Sequence, residues 1–371
     1  MNELNNSKKK IAIFVNKKLP GNDFRLKIAS ELKDTYDFNF FWPSMNGNID
    51  GIKYYYLRMG EGFSLWSEWV NLLDLFLKVN TKHFDIYHFY STKLYILGPL
   101  FILSGNKKSI ITISGLGRLF VGQDKWIKKI MRKIFLRLLK LSSRRAACVL
   151  FQNRIDEKEL KMYIPKGKNI LVGSAVSMKP FNDYHKDVDR SKFNVIFVGR
   201  LHPSKGIYDY LEVCKKIKNK RVDIVFWLAG DISRNCKSLH QKIINEEKNG
   251  YLNYLGFRYD IIKYLNSCNA LLFLSQREGM PRVVLEAGTC GLPVISYDIP
   301  GCSDVIIHEK TGFLEPLGDI DAVVRDIEYL ADNRDEAKKM GIELKKYIEE
   351  NYSMSILIEK IRDIYNNILM K

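Results

Sequence analysis

Short, apolar-rich runs alternate with helix-patterned stretches from one end of the sequence to the other. In the first half the runs are Ile11–Val15, Phe38–Trp42, Ile86–Phe89, Ser109–Ile113 and Cys148–Phe151; in the second they are Asn194–Val198, Ile224–Ala229, Leu271–Leu274 and Pro293–Ser296. Runs this short, with little polar/apolar alternation inside them, are those of strands covered on both faces in a parallel sheet. Helical patterns fill the intervals, at about 23–33 in the first half and at about 206–219, 236–248, 259–266 and 281–290 in the second. Strand and helix in this order predict an α/β fold of two doubly wound, Rossmann-like parallel-sheet domains. Ligand groups are then expected at the carboxyl ends of the strands, in a central cleft that the two domains face.

A chain of 371 residues suits two such domains. The expected limits are 1–182 for the first, 183–191 for a polar linker, 192–352 for the second, and 353–371 for a terminal helix packing back toward the first. Hydrophobic residues at 46% and charged residues at 27% exclude wholesale disorder.

The charge is uneven. Lys and Arg number 59 against 42 Asp and Glu, a net of +17. Residues 1–200 hold 35 basic and 17 acidic side chains (+18), whereas 201–371 hold 24 and 25 (−1). Residues 101–150 alone hold 12 basic side chains against one acid, Asp124. Such a segment suits nucleic acid, an anionic membrane or a polyanionic substrate. The six cysteines show no C-x-x-C pairing and read as reduced, buried residues of a cytoplasmic protein. No secretory leader is read at Met1–Lys10. The longest apolar stretch, Leu94–Leu103, contains Gly98 and Pro99 and is half of the about twenty residues a membrane span needs.

From Lys125 to Arg145 the basic segment is helical in pattern. Ile127, Ile130, Met131, Ile134, Phe135, Leu138 and Leu141 recur at three- and four-residue steps and are expected to pack on the sheet. Lys128, Lys129, Arg132, Lys133, Arg137 and Lys140 take the other face, with no acid in the segment. A nucleic-acid surface needs stacking aromatics among its cations, and only Trp126 stands at the margin, so nucleic acid is not expected. An anionic lipid surface needs only the charge, about 1 kcal/mol per Lys or Arg. The expected location is therefore peripheral, on the inner face of the cell membrane.

Three constellations in the second half carry chemistry. In Phe197-Val-Gly199-Arg200, followed by Lys205-Gly206, a strand ends at Gly199 and a helix begins near Gly206. Two cations five residues apart, beside free helix N–H groups, suit a diphosphate; the alternative is a basic loop with a glycine turn. In Ser275-Gln-Arg-Glu278-Gly279-Met280-Pro281, followed by Val283-Val284-Leu285-Glu286, two carboxylates stand eight residues apart around a helix start at Pro281. Carboxylates hold vicinal hydroxyls well; the alternative is a helix-dipole partner and a solvated Glu. Ile299-Pro-Gly301-Cys-Ser303-Asp304 closes a further strand end with a glycine turn.

Together, FVGRLHPSKG, YLGFRYD, REGMPRVVLEAGTCGLPVI and IPGCSDVI...TGFL, over about 193–315, resemble the nucleotide-sugar domain of glycosyltransferase family 4. The resemblance implies the GT-B fold, with the donor held mainly by the C-terminal domain. It implies that Arg200 and Lys205 hold the donor diphosphate, and that Glu278 and the backbone after Gly279 hold the sugar. By the same resemblance Glu286 holds the ribose, Phe257 and Arg258 lie near the base, and Gly199, Met280, Pro281 and Val284 complete the donor site. Glu278, Arg200 and Lys205 are the catalytic candidates.

In the first half, Phe24-Arg25, Ile113-Ser114-Gly115-Leu116-Gly117-Arg118-Leu119-Phe120, Phe151-Gln152-Asn153 and Gly173-Ser-Ala-Val176...Phe181 resemble the branch that elongates polyprenyl-diphosphate-linked saccharides of capsule, O-antigen or glycoprotein glycans. Arg25, Ser114, Gly115, Gly117 and His88 are the acceptor-side candidates. Two departures stand out: Lys17-Lys-Leu-Pro-Gly-Asn22 replaces the usual Gly-rich first loop, and Ser114 stands where many relatives carry His or Glu.

The resemblance implies a retaining transfer without a metal, from a UDP-sugar, with an N-acetylhexosamine as the first choice of sugar and no cofactor. The strings Asp187-Val-Asp189 and Asp319-Ile-Asp321 read as linker charge and a helix N-cap rather than metal ligands. The alternatives are a nucleotide-sugar epimerase, with His88, His202 and Ser114 as the available acid/base groups, and a non-enzymatic basic lipid- or nucleic-acid-binding protein.

Overall fold

The computed structural model describes residues 8–19, 23–44, 46–58, 65–103, 108–120, 126–178, 183–232 and 237–370. Asp124, Lys125, Phe181, Cys236 and the Pro20–Asn22 part of the first loop lie outside them. The chain forms two compact units, one of Met1–Ser174 with Ser355–Lys371, the other of Ala175–Met354. Residues 183–191 thus belong to the second unit.

The first unit is an eight-stranded sheet. Its strands are β1 (Lys9–Phe14), β2 (Tyr36–Trp42), β3 (Gly47–Ile49), β4 (Ile52–Tyr56), β5 (Ile86–Tyr90), β6 (Lys108–Ile113), β7 (Cys148–Phe151) and β8 (Asn169–Leu171), in the order β3-β4-β2-β1-β5-β6-β7-β8. All neighbours are parallel except the edge hairpin β3–β4, whose turn places Asp50 and Gly51 at φ 52° and 82°. That pair of left-handed residues matches the twist a two-residue hairpin requires. Residues 11–14 of β1 and all of β5 are buried, and Phe14 stacks on Phe41 at 4.5 Å between ring centroids. The connecting helices are α1 (Phe24–Leu32), α2 (Leu65–Thr81), α3 (Thr92–Phe101), α4 (Trp126–Arg145) and α5 (Arg154–Leu160). The C-terminal helix, Met354–Met370, packs on this sheet: Tyr36 Oη donates to Asn366 Oδ1 (2.7 Å) and Lys108 Nζ to the Ile368 carbonyl (2.6 Å).

The second unit has six parallel strands: β9 (Phe193–Val198), β10 (Ile224–Ala229), β11 (Asn253–Gly256), β12 (Ala270–Phe273), β13 (Val294–Tyr297) and β14 (Gly312–Glu315), in the order β11-β10-β9-β12-β13-β14. Between them run α6 (Ile207–Lys218), α7 (Lys237–Lys248), α8 (Ile261–Ser267), α9 (Arg282–Thr289), α10 (Ile320–Asp332) and α11 (Arg334–Tyr352). Asp319 caps α10 by accepting from the Ala322 N–H (3.0 Å). The order reverses at β9, so the sheet has the switch point beside which open α/β sheets bind ligands.

α4 departs from its expected packing. Phe135, Leu139, Ser142 and Ser143 are its buried residues, whereas Ile127, Ile130, Met131, Ile134 and Leu141 are exposed. The strongest apolar periodicity therefore does not mark the face that meets the protein; two small serines beside Phe135 and Leu139 allow the close approach instead. Lys128 and Arg132, expected on the cationic face, are half-buried: Arg132 Nη2 donates to the Leu119 carbonyl (3.1 Å) and lies over the Phe120 ring. Lys129, Lys133, Arg137 and Lys140 are exposed.

Candidate active site

The second-half candidates follow the carboxyl ends of five adjacent strands. Arg200 and Lys205 come after β9, Phe257 and Arg258 after β11, Glu278 after β12 and Gly301 after β13, while Gly230 and Asp231 follow β10. Two glycines let these loops touch. Gly206 has φ 73°, and a Cβ there would stand 1.9 Å from the Leu274 carbonyl oxygen; Gly301, at φ 81°, would place one 2.5 Å from the Gly279 carbonyl oxygen. Only glycine permits both the left-handed backbone and the contact. The three constellations read from the sequence are thereby locked together.

At their meeting point Lys205 Nζ donates to Glu278 Oε1, and Ser275 Oγ donates to the same oxygen at 2.7 Å. The Gln276 N–H donates to the Ser204 carbonyl (3.1 Å), tying the Lys205 turn to the Glu278 loop. Both charged side chains are mostly buried, at 23% and 17% exposure. Each compensates the other where desolvation would otherwise be costly. Ser275, three residues before Glu278 in the sequence, is a holder of that carboxylate which the spacing of charges alone does not reveal.

At the carboxyl ends of β9, β10 and β11 a cavity of about 560 Å³ is lined by Gly199, Arg200, Gly230, Asp231, Phe257 and Arg258, with Val198, Ile232 and Ile261 among its apolar walls. Four of the donor-site candidates therefore share one hollow, with Arg200 exposed at its side. Arg258 is fixed by Asp260 through two bonds, Nε to Oδ1 (2.9 Å) and Nη2 to Oδ2 (3.0 Å), and the guanidinium holds the Asp260 carboxyl below the usual carboxylate range. Asp260 was missed in the sequence, although the Arg-x-Asp spacing that permits this fork is visible there. The mix of apolar walls and a few fixed polar groups is that of a small-molecule site.

Glu286 is not an isolated charge in an apolar helix: Arg282, one turn earlier, donates to its Oε1 at 3.2 Å. Val284 is corrected. It is fully buried among the core residues of this unit, so its side chain meets no ligand. Met280 is also buried, and Pro281 precedes the first residue of α9. Of the D-x-D strings, Asp189 accepts from Ser191 N and Oγ, and Asp321 pairs with Lys216.

In the first unit Arg25 pairs with Asp23 through two 2.8 Å bonds and lies 5.2 Å from the centroids of the Phe24 and Tyr90 rings. Ser114 is exposed just beyond β6, with Gly115 half-buried and Gly117 opening the turn that Arg132 holds. His88 is corrected as an acceptor-side group. It is 0% exposed, Nδ1 lies 2.8 Å from Tyr365 Oη and Nε2 2.6 Å from Thr112 Oγ1. Burial, with the nearby Arg25 charge, lowers its pKa to about 3. It is a satisfied core histidine joining the sheet to the C-terminal helix.

Residues 180–347 match the family of glycosyl transferases group 1. The chain is 26% identical over 338 residues to the UDP-Gal:alpha-D-GlcNAc-diphosphoundecaprenol alpha-1,3-galactosyltransferase of Escherichia coli, covering 88% of this chain and 83% of that one. It is 23% identical to the N,N'-diacetylbacillosaminyl-diphospho-undecaprenol alpha-1,3-N-acetylgalactosaminyltransferase of Campylobacter jejuni, over 69% of this chain and 70% of that one. Several further curated relatives match over about half of either chain. Among solved structures, Anabaena Alr3699/HepE in complex with UDP and glucose superposes with a TM-score of 0.77 over 97% of this chain and 100% of that one, at 15% identity. The fold is GT-B, and the chain, which carries a group 1 glycosyltransferase domain, is a glycosyltransferase.

Proposed function

We propose that the protein moves a sugar from a UDP-sugar, with an N-acetylhexosamine as the first choice, to a polyprenyl-diphosphate-linked saccharide in the assembly of a surface polysaccharide such as capsule or O-antigen. The observation that carries this reading is the Lys205–Glu278–Ser275 cluster at the carboxyl edge of β9 and β12, on the same sheet edge as the hollow that Arg200 and Arg258 line. In it the diphosphate lies between Arg200, Lys205 and the N–H groups near the start of α6, where cations stabilise charge as it develops on the leaving group. Glu278 and the backbone from Gly279 take the sugar, Glu286 the ribose, and Phe257 with Arg258 the base. Transfer is retaining and needs no metal, the diphosphate charge being met by these side chains.

The two curated relatives named above support the acceptor class, since both act on diphosphoundecaprenol-linked sugars by name. The Escherichia coli relative and the UDP-bound neighbour support UDP. The protein works on the inner face of the cell membrane, its basic helix α4 against anionic lipid; no helix among the described residues is long and apolar enough to cross a membrane. The epimerase alternative loses one of its acid/base groups, because His88 is enclosed, while His202 caps the turn Pro203–Lys205 through Nδ1, which accepts from the Ser204 N–H (3.1 Å).

Thermal shift with a panel of nucleotide sugars, followed by turnover with a prenyl-diphosphate-linked N-acetylglucosamine, tests the reading. A UDP-sugar should raise the melting temperature and yield an extended lipid-linked product. Donor epimerisation without acceptor, or no response to any donor, would contradict it.

A further inference from the structure

The twenty residues of α4 divide among three faces. Phe135, Leu139, Ser142 and Ser143 meet the protein. Next to them run Ile127, Ile130, Met131, Ile134 and Leu141, each 47–54% exposed. Beyond these come Lys129, Lys133, Arg137, Lys140 and Arg144, exposed at steps of three and four residues. The helix therefore presents to its surroundings an apolar stripe and a cationic stripe side by side. Trp126, 70% exposed, stands at its start. In the same helical layer, α2 adds Trp69, Leu73 and Leu77, exposed at four-residue steps.

Charge alone accounts for only one of these stripes. Five half-exposed aliphatic side chains along one line are a surface that water penalises and that soluble proteins ordinarily cover. A protein partner would have to supply an apolar groove and a row of acids in register. A bilayer with anionic headgroups supplies both at once, because the acyl boundary lies directly beneath the phosphates. The absence of any acid in residues 125–145 removes the repulsion that would oppose it.

We propose that α4 docks by insertion: it lies in the membrane interface with Ile127, Ile130, Met131, Ile134 and Leu141 buried at the acyl boundary, and the Lys129–Arg144 stripe on the phosphates. The inference deepens the membrane reading given above and rests on it. It also has a consequence for the acceptor loop, because Arg132, on the protein-facing side of the helix, holds the Leu119 carbonyl just beyond Ser114–Gly117. A docked α4 keeps that loop close to the bilayer.

The test uses the full chain with vesicles of phosphatidylcholine and phosphatidylglycerol in equal parts. Two readouts are taken, sedimentation and quenching of tryptophan emission by brominated acyl chains, with Trp126→Phe to isolate the Trp126 signal. The expected result is that wild type sediments, that Trp126 is quenched, and that high salt removes only part of the binding. The pair Ile130→Ser with Ile134→Ser, both exposed and so folding as wild type by melting temperature, should weaken partition by about tenfold or more. Three results would overturn insertion: sedimentation abolished by salt with Trp126 unquenched, serine variants that bind as wild type, or a wild-type dimer that the serine pair dissociates. Failure of wild type to sediment at all would instead overturn the membrane reading itself.

Discussion

Lys205 and Glu278 stand 73 residues apart in the chain and are bonded to one another, with Ser275 sharing the same carboxylate oxygen. Before any donor arrives, the cation proposed to meet the diphosphate is neutralised by the carboxylate proposed to hold the sugar. A donor that carries both groups can separate the pair without leaving either charge bare. This preorganises the site, since neither side chain has to be recruited from solvent.

Glu278→Gln should therefore lower kcat by about 10²- to 10³-fold, as should Lys205→Met. Because both side chains are mostly buried and each compensates the other, removing one should also lower stability, by about 1–3 kcal/mol. Steady-state kinetics together with thermal melts check both. Wild-type turnover in either variant would remove that residue from the catalytic set.

His88 is enclosed and neutral, with its pKa held near 3 by burial and by Arg25. Its folded value lies below the unfolded one of about 6.5, so between these two pH values the unfolded chain binds the extra proton. The stability that neutral His88 confers is complete above about pH 6.5 and declines as pH falls toward 3, by at most about 1.4 kcal/mol per pH unit. Urea unfolding between pH 4 and 7 should show a shallower slope in His88→Gln than in wild type. Equal slopes would show that His88 does not carry the dependence.

Asp326, on α10, titrates in the opposite sense. Burial and the neighbouring Glu315 carboxylate push its carboxyl well above the usual range. Its folded value exceeds the unfolded one, so its contribution is complete below about pH 4 and is lost as pH rises through the neutral region. Asp326→Asn should raise the melting temperature at pH 8 and leave it nearly unchanged at pH 4. A lower melting temperature at pH 8 would contradict this assignment.

The strands read from the sequence, β1, β2, β5, β6, β7, β9, β10, β12 and β13, are all interior, whereas β3, β8, β11 and β14, which escaped the pattern, are the four sheet edges; β4 escaped it too, an interior strand next to the β3 edge whose residues are only partly buried. A central parallel strand is covered on both faces and by neighbours on both sides, so its residues are nearly all apolar. An edge strand such as β3, exposed throughout, needs no such run. The donor-side loops were legible for a related reason: Gly206, Gly301, Lys205 and Glu278 are residue types that backbone geometry and charge demand at fixed spacings. His88 and Val284 were misread because a sequence does not say which way a strand or helix residue faces. The same ambiguity led to α4, whose longest apolar stripe is exposed while two serines and two larger residues form its contact with the protein.

The most direct test of the central claim is the configuration of the bond formed. With an α-configured UDP-sugar, a prenyl-diphosphate-linked N-acetylglucosamine acceptor and a chelator in excess, the anomeric proton coupling of the new linkage can be read by NMR. The account predicts transfer at full rate in the chelator and an α-linked product. A β-linked product, or transfer restored only by adding a divalent metal, would contradict it.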